Sequence, residues 1–234
     1  MKIVIVSDIH GNLEALEALE AIAGPWDELW VLGDLVNYGP NPSEVVDFVR
    51  RNAAVAVRGN HDHAIGYGAD PRCSAPFREM AREMQYYTES VLNGVQKAFL
   101  RELPVAARRT VDGHRFFLCH AVPSEPLFRY LPPGSPDWPI EAERAAADIL
   151  LVGHTHLPSQ AAVGGCQVVN PGSAGQPKHG CPEACYAIWE DGRFLLKSSP
   201  YRAEVTAGKV LALPIDERIA GELADVLLRG APPR

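Results

Sequence analysis

The chain reads as an α/β protein whose strands carry polar residues at their carboxyl ends. Three observations predict this. Short β-branched runs alternate with segments whose apolar residues fall at helical spacing. The first three runs each close on a polar turn: Ser7-Asp8, Gly33-Asp34 and Gly59-Asn60. Strands alternating with helices in this way pair in parallel, and ligand sites in open α/β sheets lie beyond the carboxyl ends of such strands.

The elements follow in order. Ile3 to Val6 is a strand, and residues 12–23 a helix with Leu13, Leu16, Leu19 and Ala23 on one face. Leu29 to Leu32 is the second strand. Residues 42–51 form a helix in which Pro42 and Ser43 suit the start and Glu44 the first turn. Ala53 to Val57 is the third strand. From about 64 to 103 the character changes: Gly66, Gly68 and Pro71 mark a loop, and helices follow at 77–92 and 94–103. This helical, cap-like insertion either covers the site or forms an interface. Strands then fit Val105 to Val111 and His114 to Cys119, joined by an Asp112-Gly113 turn. The Pro-rich stretch 123–139 is a loop, Glu141 to Ala147 a short helix, and Ile149 to Val152 a strand. Further strands fit 167–169, 184–189 and 193–197, the last two joined at Asp191-Gly192. Residues 215–228 form a closing helix, with a tail at 231–234. The expected organisation is one domain over 1–234.

At 234 residues, 47% apolar and 22% charged, the chain can bury a substantial core. A net charge of -7 argues against a broad surface for long nucleic acid. The run before Ser7 is too short for a signal peptide or a membrane span, which places the protein in the cytoplasm with no membrane partner. Five cysteines, at 73, 119, 166, 181 and 185, form no C-x-x-C pair, and they read as reduced thiols. Oligomeric state is not legible.

Five residue groups recur in one ordered string: Asp8-Ile9-His10, Gly33-Asp34, Gly59-Asn60-His61-Asp62, His120, and Gly153-His154-Thr155-His156. Any one alone is a common turn. Together they hold five of the eight histidines. Asp8 and His10, one residue apart, can reach the same ion, and the same spacing holds for His154 and His156. Asp34 is a single carboxylate, and one carboxylate can bridge two cations about 3.5–4 Å apart. Asn60 offers an amide oxygen and His120 another imidazole. Mixed nitrogen and oxygen donors without thiolate suit Mn, Fe, Zn, Co or Ni. Two such ions activate water and clamp phosphoryl oxygens, which leaves His61 free to protonate a leaving oxygen. Of the remaining histidines, His114 reads as a surface residue, His63 as near enough to line the site, and His179 as lying in a loop able to reach an anionic substrate.

The string resembles the calcineurin-like metallophosphoesterase superfamily, whose pattern is D-x-H, G-D, G-N-H-[DE], H, G-H-x-H. The resemblance spans residues 8 to 156. It implies a four-layer α/β/β/α sandwich of two mixed sheets flanked by helices, with a dinuclear centre at the strand ends. It further implies that Asp8, His10, Asp34 and His156 hold one metal, that Asp34, Asn60, His120 and His154 hold the other, and that His61 is the general acid.

Within the superfamily the chain departs from the protein Ser/Thr phosphatases, which carry G-D-x-V-D-R-G. Here the segment is Gly33-Asp34-Leu35-Val36-Asn37-Tyr38-Gly39. Asn37 can accept a hydrogen bond from His61 but carries no charge, and Tyr38 cannot replace a bidentate Arg. The segment through Pro40 instead resembles small bacterial phosphodiesterases, as does Asn170-Pro171-Gly172-Ser173, read as a tight turn packed under the site. Some of those enzymes lack the histidine after Asn60; this chain keeps it. The expected activity is hydrolysis of a small phosphodiester or a dinucleoside polyphosphate by attack of a metal-bound hydroxide. The alternatives are a phosphomonoesterase, including a phosphoprotein phosphatase, and a catalytically silent metal-bound regulatory module.

Overall fold

A computed structural model describes residues 1–233. Strand β1 (Ile3–Val6) is buried along its whole length, and its alternating side chains enter two different cores. Ile3 and Ile5 pack with Trp30, Phe116, Ile149 and Trp189. Val4 and Val6 pack with Leu16, Leu19, Val45 and Val49. A strand that is apolar on both faces is covered on both faces, and that requirement generates the layers.

The helical cover comes from α1 (Leu13–Ala23) and α2 (Pro42–Asn52), which connect β1 to β2 (Glu28–Val31) and β2 to β3 (Ala53–Ala56). These crossovers make β1–β2 and β2–β3 parallel, as the alternation predicts. Two later strands, β9 (Glu183–Glu190) and β10 (Arg193–Pro200), complete the first sheet in the order β10-β9-β1-β2-β3, with β9 antiparallel to both neighbours. The second sheet runs β4 (Ala106–Val111), β5 (His114–Cys119), β6 (Ile149–Leu151), β8 (Cys166–Asn170) and β7 (Ser159–Val163). Its central strands β5, β6 and β8 are parallel and its edges antiparallel. Phe116 and Ile149 face the first sheet, while Leu150, Val152 and Val168 face Trp138, Ala142 and Ala145 of α6 (Trp138–Ala145). The molecule is thus an α/β fold of two mixed five-stranded sheets, packed face to face and flanked by helices.

The helices after β3 pack back on this frame. They are α3 (Asn60–Tyr67), α4 (Arg78–Val91), preceded by a 3-10 turn, and α5 (Gly94–Glu102). Met80 and Met84 of α4 meet Leu223 and Leu227 of α8 (Glu217–Arg229), while Leu92 and Leu100 join the core under α1 and α2. Between β10 and α8 lies α7 (Ala203–Leu211).

Four elements depart from the sequence reading. Residues 60–67 are helical rather than a loop from Gly66, because Asp62 caps the helix on the Gly59 N–H at 2.9 Å. Strand β7 is an edge strand with mostly exposed residues, so it shows no apolar alternation. Helix α7 is short and carries Gly208. The helix read as 141–147 instead starts at Trp138, with Pro139 in its first turn, where a missing N–H costs nothing. All five cysteines are free. Among the described residues no helix is long and apolar enough to cross a membrane.

Candidate metal centre

The polar strand ends occupy backbone that L residues enter at a cost. Asp8, His10, Asp34, Asn37, Tyr38, His154 and His156 all have φ between 47° and 69°, a region that costs about 1–3 kcal/mol per residue and clusters at functional sites. The glycine before Asn60 serves another purpose. Gly59 is extended, at φ -90°, and a Cβ there would collide with the Asp34 carboxylate. Gly153 likewise leaves room for Ser7. Gly59 caps α3, Asn60 begins it, and the glycine is needed for close approach.

Backbone bonds join the strand ends. Asp8 N donates to Gly33 O at 3.0 Å and His10 N to Asp34 O at 2.9 Å. The Asp62 carboxylate accepts from Asp34 N and Leu35 N, both at 2.8 Å, and from Gly59 N. The Asn170 turn packs underneath: its amide donates to Gly153 O at 2.7 Å, and Ser173 Oγ donates to Asp8 O at 2.7 Å. That segment is a strut rather than a lining of the cleft.

The histidine rings are fixed by backbone carbonyls. His10 Nδ1 lies 2.9 Å from Val36 O, His120 Nδ1 2.8 Å from Leu32 O, and His156 Nδ1 2.6 Å from Gln176 O. A carbonyl can only accept, so each Nδ1 carries a proton; the neutral rings of His10 and His156 turn a bare Nε2 inward, and His120 does so once its second proton has left. In one group His10 Nε2 and His156 Nε2 are 3.3 Å apart, and Asp8 Oδ1 is 3.2 Å from the latter. Among the described residues Asp8 Oδ1 has no hydrogen-bond donor. In the other, His120 Nε2 lies 3.1 Å from Asn60 Oδ1, 3.2 Å from His154 Nδ1 and 3.2 Å from Asp34 Oδ2. Asn60 is oriented by its amide nitrogen, which donates to Pro71 O at 2.8 Å. Asp34 Oδ1 accepts from His61 N at 2.9 Å, while Oδ2 faces both groups, with His10 Nε2 at 3.8 Å.

Asp8 Oδ1 and the Nε2 atoms of His10 and His156 face one another as buried acceptors, and Asn60 Oδ1, His154 Nδ1 and Asp34 Oδ2 converge on His120; such groupings are unfavourable unless a cation or a proton lies among them. Donor–donor spacings near 3 Å match ligands about 2.0–2.2 Å from one ion. The residues present therefore fit divalent metals. Burial favours the neutral rings of His10 and His156 and lowers His154 to about 3. His120 differs: burial opposes a charge on it, but Asp34 outweighs burial and raises the ring to about 9. The shared spacing of His154 and His156 does not bring them into one cluster. His156 joins Asp8 and His10, and His154 joins Asp34 and His120.

His61 lies in the same cleft of about 460 Å³, which Asp34, Asn60, His154 and His156 also line. Its Nδ1 is 2.8 Å from Asn37 Nδ2. The same amide nitrogen donates to Ala81 O at 3.2 Å, and Thr88 Oγ1 donates to Asn37 Oδ1 at 3.3 Å. Ala81 thus sets the amide, so Asn37 donates to His61 where the sequence suggested it would accept. The single ring proton sits on Nε2, facing Cys73 Sγ at 3.4 Å. Burial and the Asn37 N–H oppose a second proton, while Cys73 and Asp34 favour it and raise the ring above its ordinary value.

His63 stacks on Tyr67 and meets Phe128 edge-on, His114 packs against Trp189, and His179 lies 3.6 Å from Cys185 Sγ. The residue of that last loop which lines the cleft is Lys178, joined there by Arg72, Cys73, Phe77, Phe128 and Tyr130. No motif points to these residues. Asp62, whose part in the frame the sequence reading left open, stands within the Gly59–Asp62 string.

A mixed double sheet with two acceptor clusters at its strand ends is an α/β frame whose residues fit divalent metals. The chain belongs to the calcineurin-like phosphoesterase superfamily, whose domain model matches residues 1–191, and it is a hydrolase acting on phosphoester bonds. It is 31% identical to a metallophosphoesterase from Sphaerobacter thermophilus, whose crystal structure superposes with a TM-score of 0.82 over 96% of this chain and 98% of that one. It is 28% identical over 204 residues to phosphodiesterase YfcE of Escherichia coli K12, covering 82% of this chain and 88% of that protein. It is 33% identical over 152 residues to a symmetrical bis(5'-nucleosyl)-tetraphosphatase of Vibrio cholerae, covering 61% of this chain and 48% of that protein. Enzymes of this superfamily use divalent metals.

Proposed function

We propose that the chain is a dinuclear metal-dependent phosphodiesterase acting on a small phosphodiester or a dinucleoside polyphosphate. The observation that carries this reading is Asp34 Oδ2. It stands between two inward-facing acceptor clusters, one built on Asp8, His10 and His156, the other on Asn60, His120 and His154. Asp34 is then the shared ligand, and these seven residues hold two divalent ions. Bound there, two cations supply Lewis acidity and an activated water. The chain's own groups do the rest. His61 presents Nε2–H to the cleft and protonates the departing oxygen, and Asn37 holds the ring in that orientation. Tyr38 packs edge-on against His10 and His61 where the Ser/Thr phosphatases have Arg. The position beside the centre therefore has no guanidinium to neutralise a monoester dianion, and a diester, which carries one charge less, suits it better. The names of YfcE and the tetraphosphatase support the same substrate range. Packing of α4 and α5 onto α8 and α2 favours one domain over 1–234.

The test is turnover of bis(4-nitrophenyl) phosphate against 4-nitrophenyl phosphate by enzyme reconstituted with Mn, Zn, Co, Ni or Fe(II). The diester is expected to be preferred at least tenfold in kcat/KM, and a monoester preference would overturn the reading. Asp34→Asn is expected to lose both metal equivalents by elemental analysis; full retention of two would reject Asp34 as the bridge.

A further inference from the structure

Two cations line the cleft without a carboxylate partner. Arg72 places its guanidinium carbon 4.3 Å from the centre of the Phe128 ring, and Lys178 places Nζ 4.2 Å from that of Phe77. Among the described residues neither side chain forms an ion pair, although the chain carries a net charge of -7 and pairs many of its arginines. A cation over an aromatic face is held in place yet keeps its hydrogen-bond donors free. The two flank different parts of the centre. Lys178 lies close enough to His156 to bias its charge, whereas Arg72 stands beside Phe128 and acts on His63. Arg72 does not replace the Arg missing at Tyr38, because it sits over Phe128, and Lys178, although the charges of Asp8, Asp34 and His156 reach it, is held over Phe77. Phe128 and Tyr130 come from one loop, and Tyr130 reaches His154 at 5.8 Å between ring centres. A planar group leaving the centre on that side meets aromatic faces.

We infer that Arg72 and Lys178 are specificity-determining residues that bind a second anionic phosphoryl group of the substrate, away from the phosphorus that is cleaved. The inference rests on the phosphoesterase reading of the centre and narrows its substrate class to esters with more than one phosphoryl group, such as dinucleoside polyphosphates. A substrate with a single phosphodiester gives these cations nothing to hold. One with a polyphosphate bridge gains two charge-assisted contacts, each of which weakens with ionic strength.

The experiment compares kcat/KM for diadenosine tetraphosphate with that for bis(4-nitrophenyl) phosphate, using full-length Mn-loaded protein and variants whose fold is checked by circular dichroism. In Lys178→Met and Arg72→Gln the ratio of the two values is expected to fall at least tenfold, through KM rather than kcat. In Lys178→Arg it is expected to stay within threefold of wild type. Raising salt from 50 to 500 mM is expected to erode the wild-type ratio and not that of the double variant. Equal losses on both substrates, or equal losses in Lys178→Met and Lys178→Arg, would mean that the side chains only pack, and would overturn the inference. Wild-type turnover of the aryl diester without the tetraphosphate would overturn it and leave the phosphodiesterase reading standing. Turnover of neither would sink that reading first.

Discussion

At the scale of single residues, the centre is set by what each side chain does with its second polar atom. His10, His120 and His156 spend Nδ1 on a backbone carbonyl, Asn60 spends Nδ2 on Pro71, and Asp34 spends Oδ1 on the His61 amide. What remains of each is an acceptor aimed inward. His61 is the exception, since Asn37 donates to its Nδ1 and leaves a donor aimed inward. That opposite polarity is the physical basis for giving it the proton-transfer role. General acid catalysis contributes roughly 10²–10⁴-fold, and most where the leaving oxygen is basic. His61→Ala is therefore expected to keep its metals by elemental analysis. It should lose at least a hundredfold in kcat on an alkyl-leaving diester and less than tenfold on a 4-nitrophenyl one. A uniform loss across leaving groups would assign the ring to binding instead. The donor types and their order were legible in the sequence because all but His120 sit in short strings of fixed spacing. The direction of the Asn37 amide was not, because it depends on Ala81, 44 residues away. Arg72 and Lys178 left no trace either, since isolated cations in loops have neither period nor motif.

At the scale of elements, legibility followed burial. Strands β1 to β3 and helices α1 and α2 each bury an apolar face, and their patterns showed it. Strand β7 exposes most of its residues, and α3 is held by a cap and by close contacts rather than by an apolar stripe, so neither declared itself. The cap does more than start a helix. One buried carboxylate, Asp62, accepts three backbone N–H groups and so ties the end of β2 to the end of β3. Burial and the nearby Asp34 raise its carboxyl to about 6, against the pull of those donors. Asp62→Asn changes almost no volume but turns an NH₂ group toward at least one of the three donors. The cost of leaving a buried N–H unmet is about 1–3 kcal/mol, which for a chain of this size lowers Tm by roughly 2–12 °C. Because Asp34 N is one of the three, the same variant is expected to bind Mn at least tenfold more weakly in calorimetry. An unchanged Tm with unchanged Mn affinity would show that this carboxylate carries no structural load.

At the scale of the whole molecule, the centre lies where the two sheets meet. Asp8, His10 and Asp34 follow β1 and β2 of the first sheet; His120, His154 and His156 follow β5 and β6 of the second. Each acceptor cluster draws on both sheets, His156 joining Asp8 and His10, and Asp34 joining His120 and His154. Without a cation, Asp8 Oδ1 and the Nε2 atoms of His10 and His156 oppose the packing that the apolar core between the sheets enforces, so the apo fold holds an electrostatic conflict at its seam that only the Asp34–His120 contact escapes, through a proton. A cation removes that conflict only in the folded state, because the unfolded chain does not assemble donors drawn from positions 8 to 156. Ligand binding of this kind stabilises by RT ln(1 + [L]/Kd), about 2.7 kcal/mol at a hundredfold excess over Kd. At about 2–4 °C per kcal/mol for a protein of this length, Mn at that excess is expected to raise Tm by roughly 5–11 °C over protein treated with EDTA. The shift should be absent in Asp34→Asn, and differential scanning calorimetry reads both. Asp34→Asn also removes the carboxylate that favours a charged His120, so its apo form is expected to melt no higher than apo wild type. An Mn-induced shift as large in Asp34→Asn as in wild type would mean that the strand ends are arranged for packing rather than for an ion.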